Sequence, residues 1–424
     1  MAERLTTADA ANILLDTPEH VNAFLLAAVL APGGPVGADG EVDLSALRSV
    51  LAGRLPAEPR LARRVRRAGR AFVWEPVPVD LTRQVRRLPA VDGRQGLEAL
   101  CARLVVTPLP LDRPPWELLV VAGVAPGRAG VVIRVHHALA DGVEAIRLAR
   151  ALLDPEETTP RRPDARTTSA GRVAGDAEPL VRRWRRVRAV AGGAARTAAV
   201  LRRAVPRTAL LGPVGPRRAV AFVDVRLDAV AAGAATAGAT VNDALLAAAG
   251  VAARSALAAR GEVAPRTLPA SVPVALPDRG RSGNAVGVML VPLEVDDAGT
   301  AQRLRRVAAL TRAGKDRARA RGVHELTRTR LGTRLFVRLA RHQRLIALFV
   351  TNVRGPRRPL ALAGAPLEHV WPVASLGGNV RLGIAAVSYD GVLRCAVHCD
   401  ADALPVAPVA RALGEELTRI AALT

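Results

Sequence analysis

Residues 131–142 read VVIRVHHALADG, an apolar run that ends in two adjacent histidines and is followed by Asp141 and Gly142. A strand over 131–135 would deliver a histidine at its end, where a neutral imidazole can take the proton of a hydroxyl or amine as that group attacks a thioester. Neighbours in a strand point to opposite faces, so His136 and His137 cannot both face one substrate. His137 is the expected base. Asp141, at the start of the next helix, suits an anchor better than a proton acceptor, and Gly142 leaves the backbone open to a close ligand. The same pattern also fits a buried histidine pair followed by a helix that Asp141 caps.

The surrounding chain supplies elements able to hold such a site. Polar helix-start residues at 7–17 precede a buried strand at 21–30, and a helix is expected at 44–55. A strand around 71–79 is broken by prolines, which places it at a sheet edge. A helix at 96–106 leads to strands at 118–122 and 131–135, which bracket the turn sequence APGRAG as a hairpin. A helix at 143–153 closes this first half.

Residues 154–179 are rich in Pro, Arg, Thr and Asp and read as a linker. The segment 180–205 then spaces Leu180, Trp184, Val187, Ala191, Ala194, Ala198, Leu201 and Val205 as a helix, with arginines over much of the rest. Such a basic amphipathic helix suits an anionic membrane surface, or packs on the protein with its arginines in water. Beyond it, a helix is expected at 240–253 and strands at 271–275, 286–295 and 348–353. LGIAAVSY and VLRCAVHC, joined by Asp390 and Gly391, form a hairpin with a type I′ turn, and 415–422 belongs to a terminal helix. Strands and helices alternate in both halves, so the expected class is α/β (α+β), organised as an N-terminal lobe at 1–155, a polar linker and basic helix at 156–215, and a C-terminal lobe at 216–424.

Composition narrows the partners. The 424 residues carry a formal charge of +23, yet Lys315 is the only lysine among 61 basic residues, and aromatics make up 2%. Nucleic-acid binding prefers aromatics interleaved with the basic groups, so an anion such as coenzyme A or a phospholipid surface fits the charge better. Cys101, Cys395 and Cys399 do not make a disulfide framework, and a reducing cytoplasm is expected. Cys395 and Cys399 flank His398, a grouping read as packing because a metal would need more ligands than it offers. The N-terminus lacks the basic-then-apolar order of a secretory leader, and the longest uncharged run, 21–38, is too short in apolar character to span a bilayer.

Several ordered segments together resemble the bacterial wax ester synthase and diacylglycerol acyltransferase family, within the wider group of chloramphenicol acetyltransferase and peptide-synthetase condensation domains. They are LTTADAANILLDTP, WEPVPVDLTRQVRRLP, PLDRPPWELLVV, VHHALADGVEA, TVNDALLAA, SVPVALPDRG with SGNAVGVMLVPL, FVTNVRGPRRPLALAG and VSYDGVLRCAVHCD. The resemblance implies two chloramphenicol-acetyltransferase-like lobes forming a pseudo-dimer, with a central tunnel that admits acyl-CoA from one side and an alcohol from the other. It implies His137 as base, His136 and Asp141 as supports, Gly142 for access, and Asn242 as a second catalytic element from the other lobe. Trp116, Asp243, Glu144 and Asn284 are implied along the substrate path. Asn242 and Asp243 equally fit a helix cap, and Trp116 a core or tunnel-wall residue.

The chain departs from the family pattern at Glu144, where a small residue is usual, at Gln84 in place of a histidine, and at Arg354 in place of a proline. These put storage-lipid substrates in doubt and leave the base intact. The expected reaction transfers a fatty acyl group from acyl-CoA to a long-chain alcohol or diacylglycerol, with no metal or cofactor, in the cytoplasm or peripherally on the inner membrane or lipid droplets. The alternative is a specialised-metabolite or condensation-type enzyme with a non-lipid hydroxyl or amine acceptor and a carrier-protein donor. No G-x-S-x-G elbow is present to support a serine hydrolase.

Overall fold

The computed structural model describes residues 3–17, 20–69, 71–140, 148–154, 205–275, 286–296, 298–319, 342–356 and 358–423. The first half contains β1 (Glu3–Arg4), α1 (Thr7–Leu15), β2 (Ala23–Leu30), α2 (Leu44–Arg54), β3 (Arg63–Ala68), β4 (Ala71–Pro76), α3 (Leu81–Gln84), β5 (Val85–Arg87), α4 (Gly93–Leu104), β6 (Trp116–Ala125) and β7 (Arg128–His136). The second contains β8 (Arg218–Arg226), α5 (Leu227–Thr236), α6 (Val241–Ala258), β9 (Thr267–Ala275), β10 (Val286–Glu294), α7 (Thr300–Arg319), β11 (Leu348–Arg354), β12 (Ala361–Leu362), β13 (Ala365–Val373), β14 (Leu382–Tyr389), β15 (Val392–Asp400) and α8 (Val406–Ala421).

One six-stranded sheet has the order β12-β13-β2-β7-β6-β5, antiparallel except where β5 meets β6. Its central strands are buried on both faces, which explains their near-continuous apolar sequences. Leu118, Val120, Val131 and Ile133 enter one core, while Leu119, Val121 and Val132 meet Leu97, Leu100 and Cys101 of α4 in another. Each Val or Leu so enclosed contributes roughly 1.5–3 kcal/mol of transfer free energy. The expected β6–β7 hairpin is present, turning where Ala125 faces Arg128.

The second six-stranded sheet has the order β10-β9-β11-β14-β15-β8, with β11 parallel to both its neighbours. Its helical cover is small-residue α6, on which Val409, Leu413, Leu417 and Ile420 of α8 pack at helical spacing. A Cβ at Gly250 would lie 3.3 Å from the Glu294 carbonyl, so glycine lets α6 sit down on β10. The Asp390–Gly391 hairpin forms with φ of 46° and 71°, the left-handed pair that a type I′ turn requires.

Two expectations change. The strand at 71–76 is the centre of a three-stranded sheet ordered β1-β4-β3, not an edge: Pro76 falls at its last paired position and Pro78 beyond it, so neither interrupts the ladder. The division of the chain is also less simple than a cut at 216. Residues 361–373 return to the first sheet, where β13 pairs with β2 and covers an edge that would otherwise be open. Trp371 of β13 then stacks on Phe222 of β8 at 4.5 Å and donates its indole N–H to Asp224, fastening the two sheets together. Of the expected helix at 143–153, residues 148–152 are helical and 141–147 lie outside the described residues, as does 180–204 of the basic helix.

Candidate active site

Register brings several chain segments to one end of the first sheet. Ala23 at the start of β2 faces His136 at the end of β7, Trp116 at the start of β6 faces Val135, and Val85 at the start of β5 faces Leu118. His137 is the next residue beyond this end.

His136 is fully buried and points into the protein. Its Nδ1 accepts from the Ala138 N–H at 3.0 Å, which puts the ring proton on Nε2, 3.4 Å from Asp16 Oδ2. With Ala138, Leu139 and Ala140 buried after it, His136 fastens the turn that follows the strand. Arg60, in the 3-10 turn Pro59–Ala62, donates to the Leu139 carbonyl at 2.9 Å and holds the same turn from the other side.

His137 is only partly enclosed. Its N–H donates to the Asn22 carbonyl at 2.8 Å, its carbonyl accepts from Asn12 Nδ2 at 3.2 Å, and its ring meets Phe24 edge-on at 5.4 Å. Desolvation, with the His136 ring beside it, pushes the imidazole down to about 4, against a raising hydrogen bond at Ala140. His137 is therefore neutral at physiological pH, the form in which an imidazole accepts a proton. The two rings differ in their surroundings: His136 is buried and hydrogen-bonded within the turn, and His137 is only partly enclosed.

Beneath the histidines, Trp116 is 1% exposed and donates its indole N–H to the Leu61 carbonyl at 2.8 Å, a core position rather than an open substrate wall. Gln84 Nε2 donates to the carbonyls of Pro114 and Trp116, and the Pro115 carbonyl accepts the His136 N–H. The PPW segment is thus a brace between α3 and β7. Asp243 is buried at the third residue of α6; Oδ2 accepts from the Thr240 N–H and hydroxyl and Oδ1 from the Thr311 hydroxyl. Both carboxylate oxygens are hydrogen-bonded within the protein, capping α6 and tying it to α7. Asn242, beside it in the first turn of α6, is half-buried. Asp141, Gly142, Glu144 and Asn284 lie outside the described residues.

Sequence reading missed Asn12, Asp16, Asn22 and Arg60, because each reaches the histidines across a long stretch of chain. Asn12 and His137 are 125 residues apart. The signal available was weak, because Asn12, Asp16 and Asn22 stand among other polar residues such as Asp9, Thr17, Glu19 and His20. Neither of two cavities, of about 490 Å³ beside Arg207, Glu262 and Arg381 and about 150 Å³ beside Arg83, Gln84 and Arg113, includes His137 in its lining.

The chain matches the wax ester synthase/diacylglycerol acyltransferase catalytic domain over residues 5–245 and the C-terminal domain of the same family over 282–421. It is 30% identical to the probable diacylglycerol O-acyltransferase tgs1 of Mycobacterium tuberculosis H37Rv, over 99% of this chain and 96% of that one. The wax ester synthase/diacylglycerol acyltransferase of Marinobacter aquaeolei VT8 shares its fold, with a TM-score of 0.72 at 22% identity over 99% of this chain and 98% of that one. The starter condensation domain of rhizomide synthetase, solved with C8-CoA, superposes with a TM-score of 0.59 at 14% identity, over 100% of this chain and 95% of that one. These likenesses carry the two-lobed chloramphenicol-acetyltransferase-like architecture, and the matched residues place this chain in the wax ester synthase/diacylglycerol acyltransferase family.

Proposed function

We propose that this acyltransferase moves a fatty acyl group from acyl-CoA to the hydroxyl of a long-chain alcohol or diacylglycerol, with His137 as general base. The observation that carries the proposal is the division of labour in the histidine pair: His136 is buried and hydrogen-bonded, while His137 is neutral, partly accessible and held at its backbone. In the reaction, His137 takes the hydroxyl proton as the oxygen attacks the thioester carbon. The C–S bond then breaks, and the imidazolium returns the proton to the departing thiolate. No covalent enzyme intermediate is required. Asn242 is assigned to the tetrahedral oxyanion as a hydrogen-bond donor from the second lobe. Asp141, Gly142, Glu144 and Asn284 lie outside the described residues; the family resemblance assigns Asp141 a supporting role, Gly142 access for the substrate, and Glu144 and Asn284 substrate contact.

The test is free-thiol release from acyl-CoAs of short to long chain, with and without hexadecanol or diacylglycerol, comparing the wild type with His137→Ala. Alcohol-dependent release that the variant loses supports the proposal. Release stimulated only by a non-lipid hydroxyl or amine would replace the acceptor class and keep the base.

We also assign the protein to a membrane or lipid-droplet surface, where both lipid substrates reside. Among the described residues no helix is long and apolar enough to cross a membrane. The association assigned is peripheral. The basic segment 180–205 is its anchor in this reading, and deletion of that segment should abolish co-sedimentation with anionic vesicles. Retained co-sedimentation would remove it from that role.

A further inference from the structure

We propose that Asn12 and Asn22 are positioning residues for His137, acting together as a clamp on its backbone. The proposal rests on His137 being the base and adds the residues that set its geometry.

The two peptide groups of His137 are tied down from the same side of the fold. The N–H enters the Asn22 carbonyl at 2.8 Å and the carbonyl receives Asn12 Nδ2 at 3.2 Å, so φ and ψ at His137 are both restrained. The two asparagines are joined to each other: Asn22 Nδ2 donates to Asn12 Oδ1 and to the Asn12 carbonyl, each at 3.1 Å. Asp16 Oδ1 accepts the Asn22 N–H at 2.8 Å, which fixes the turn carrying Asn22 to the end of α1. An amide suits position 12 because this site needs a donor toward His137 and an acceptor toward Asn22 from one short side chain. Leucine or alanine would leave the His137 carbonyl short of a partner, and aspartate would set a negative charge against it.

His137 follows the last paired residue of β7, so the sheet ladder alone does not hold it. The clamp extends the register of β2 and β7 by one residue and fixes the imidazole against Phe24 before any substrate arrives. Misplacing a base by about 1 Å can cost on the order of a hundredfold in rate. The loss falls on kcat, because the clamp touches the base and not the substrates.

The roles are nested, which makes them separable. Asn22 bonds His137 through its backbone carbonyl, so Asn22→Ala keeps that bond and loses only the brace on Asn12. Asn12→Ala loses the direct bond. The expected order is a fall in kcat of about tenfold to a hundredfold for Asn12→Ala and a smaller fall for Asn22→Ala. The double variant should be no worse than Asn12→Ala, with KM for both substrates unchanged throughout.

A second readout does not need turnover. Carbethoxylation of His137 by diethyl pyrocarbonate, followed by mass spectrometry across pH, reports how open the ring is and where it titrates. Among the described residues the His136 ring lies beside it, Asp16 pairs with His136, and Arg60 holds the Leu139 carbonyl of the same turn. Loosening the clamp should speed modification several-fold and move its midpoint from about 4 toward the ordinary imidazole value of 6.5. An increase in KM with kcat unchanged, additive losses in the double variant, or unaltered modification of Asn12→Ala would each overturn the clamp. A wild type that transfers no acyl group from any donor would defeat the acyltransferase reading, and the modification rates would still decide the positioning role.

Discussion

Glu117 on β6 and Arg134 on β7 are direct cross-strand partners whose ion pair is 3% and 2% exposed, two residues before His136. Arg134 also donates to the carbonyls of Leu104 and Thr107, and Arg86 pairs with the same carboxylate from a more open position. Burial works to lower the Arg134 pKa and Glu117 offsets it, which marks the two charges as interdependent. Removing one partner strands the other in the core. Glu117→Gln should cost about 3–5 kcal/mol, measured by urea unfolding, whereas replacing both by apolar residues of similar volume should cost far less. Equal losses in the two variants would refute the argument.

That pair shows where the sequence was silent. In VVIRVHH an arginine within an apolar run reads as an outward-facing charge, and only the distant Glu117 allows it to turn inward. The elements themselves were legible because their signals are local: apolar runs for β2, β6 and β7, a PG turn between the last two, and DG between β14 and β15. The strand β3 hid behind four arginines in RRVRRA, since edge strands carry charge. The return of β13 to the first sheet had no local signal, because nothing in APLEHVWPV says which of two sheets it will join. The same limit applied at the site. The base was readable from one short motif, while Asn12, Asp16, Asn22 and Arg60 came into view only through tertiary contacts.

Cys101, Cys395 and Cys399 are all buried as free thiols, and burial pushes Cys101 and Cys399 up to about 12 and Cys395 higher still. Thiolate is the reactive form, so the folded protein should resist Ellman's reagent and the denatured protein should titrate three thiols. Cys395 and Cys399 share a core while His398 faces the other side of the strand, so the CxxHC grouping does not converge. Rapid labelling of any thiol under native conditions would contradict this packing.

His137 and His398 both have imidazoles pushed down to about 4 by burial, from a usual 6.5. Between those values the unfolded chain binds protons that the folded chain refuses, so stability must fall as pH drops from 6.5 toward 4 and rise as it is restored. Across that whole window each group contributes on the order of 3 kcal/mol. His398 donates to the Ala374 carbonyl from Nδ1, and glutamine at this position can keep a donor without titrating. Melting temperatures measured from pH 7 to pH 4.5 should therefore fall less steeply for His398→Gln than for the wild type. Catalysis should follow His137 alone: the acid limb of kcat/KM belongs near 4 wherever the protein remains folded. An acid limb at 6.5 would show that His137 is more open than its surroundings imply.

Asp243 separates a cap from a substrate contact. Its carboxylate closes the first turn of α6 through Thr240 and receives the Thr311 hydroxyl at 2.6 Å from α7. Loss of an N-terminal cap costs about 0.5–2 kcal/mol, and a buried polar group left without its partner about 1–3 kcal/mol. Asp243→Ala removes the carboxylate half of the capping box and keeps the Thr240 cap on the residue-243 N–H, whereas Thr311→Val removes one bond and leaves Asp243 buried with Oδ1 unpaired. Both variants should unfold at lower urea concentration, because α6 forms the centre of the second lobe's core. Kinetics then distinguish the two roles. A capping residue affects turnover through the fraction of protein folded, so at temperatures well below either transition KM should match in the two variants. A rise in KM seen with Asp243→Ala and absent from Thr311→Val would return Asp243 to the substrate path, since only that variant deletes the carboxylate.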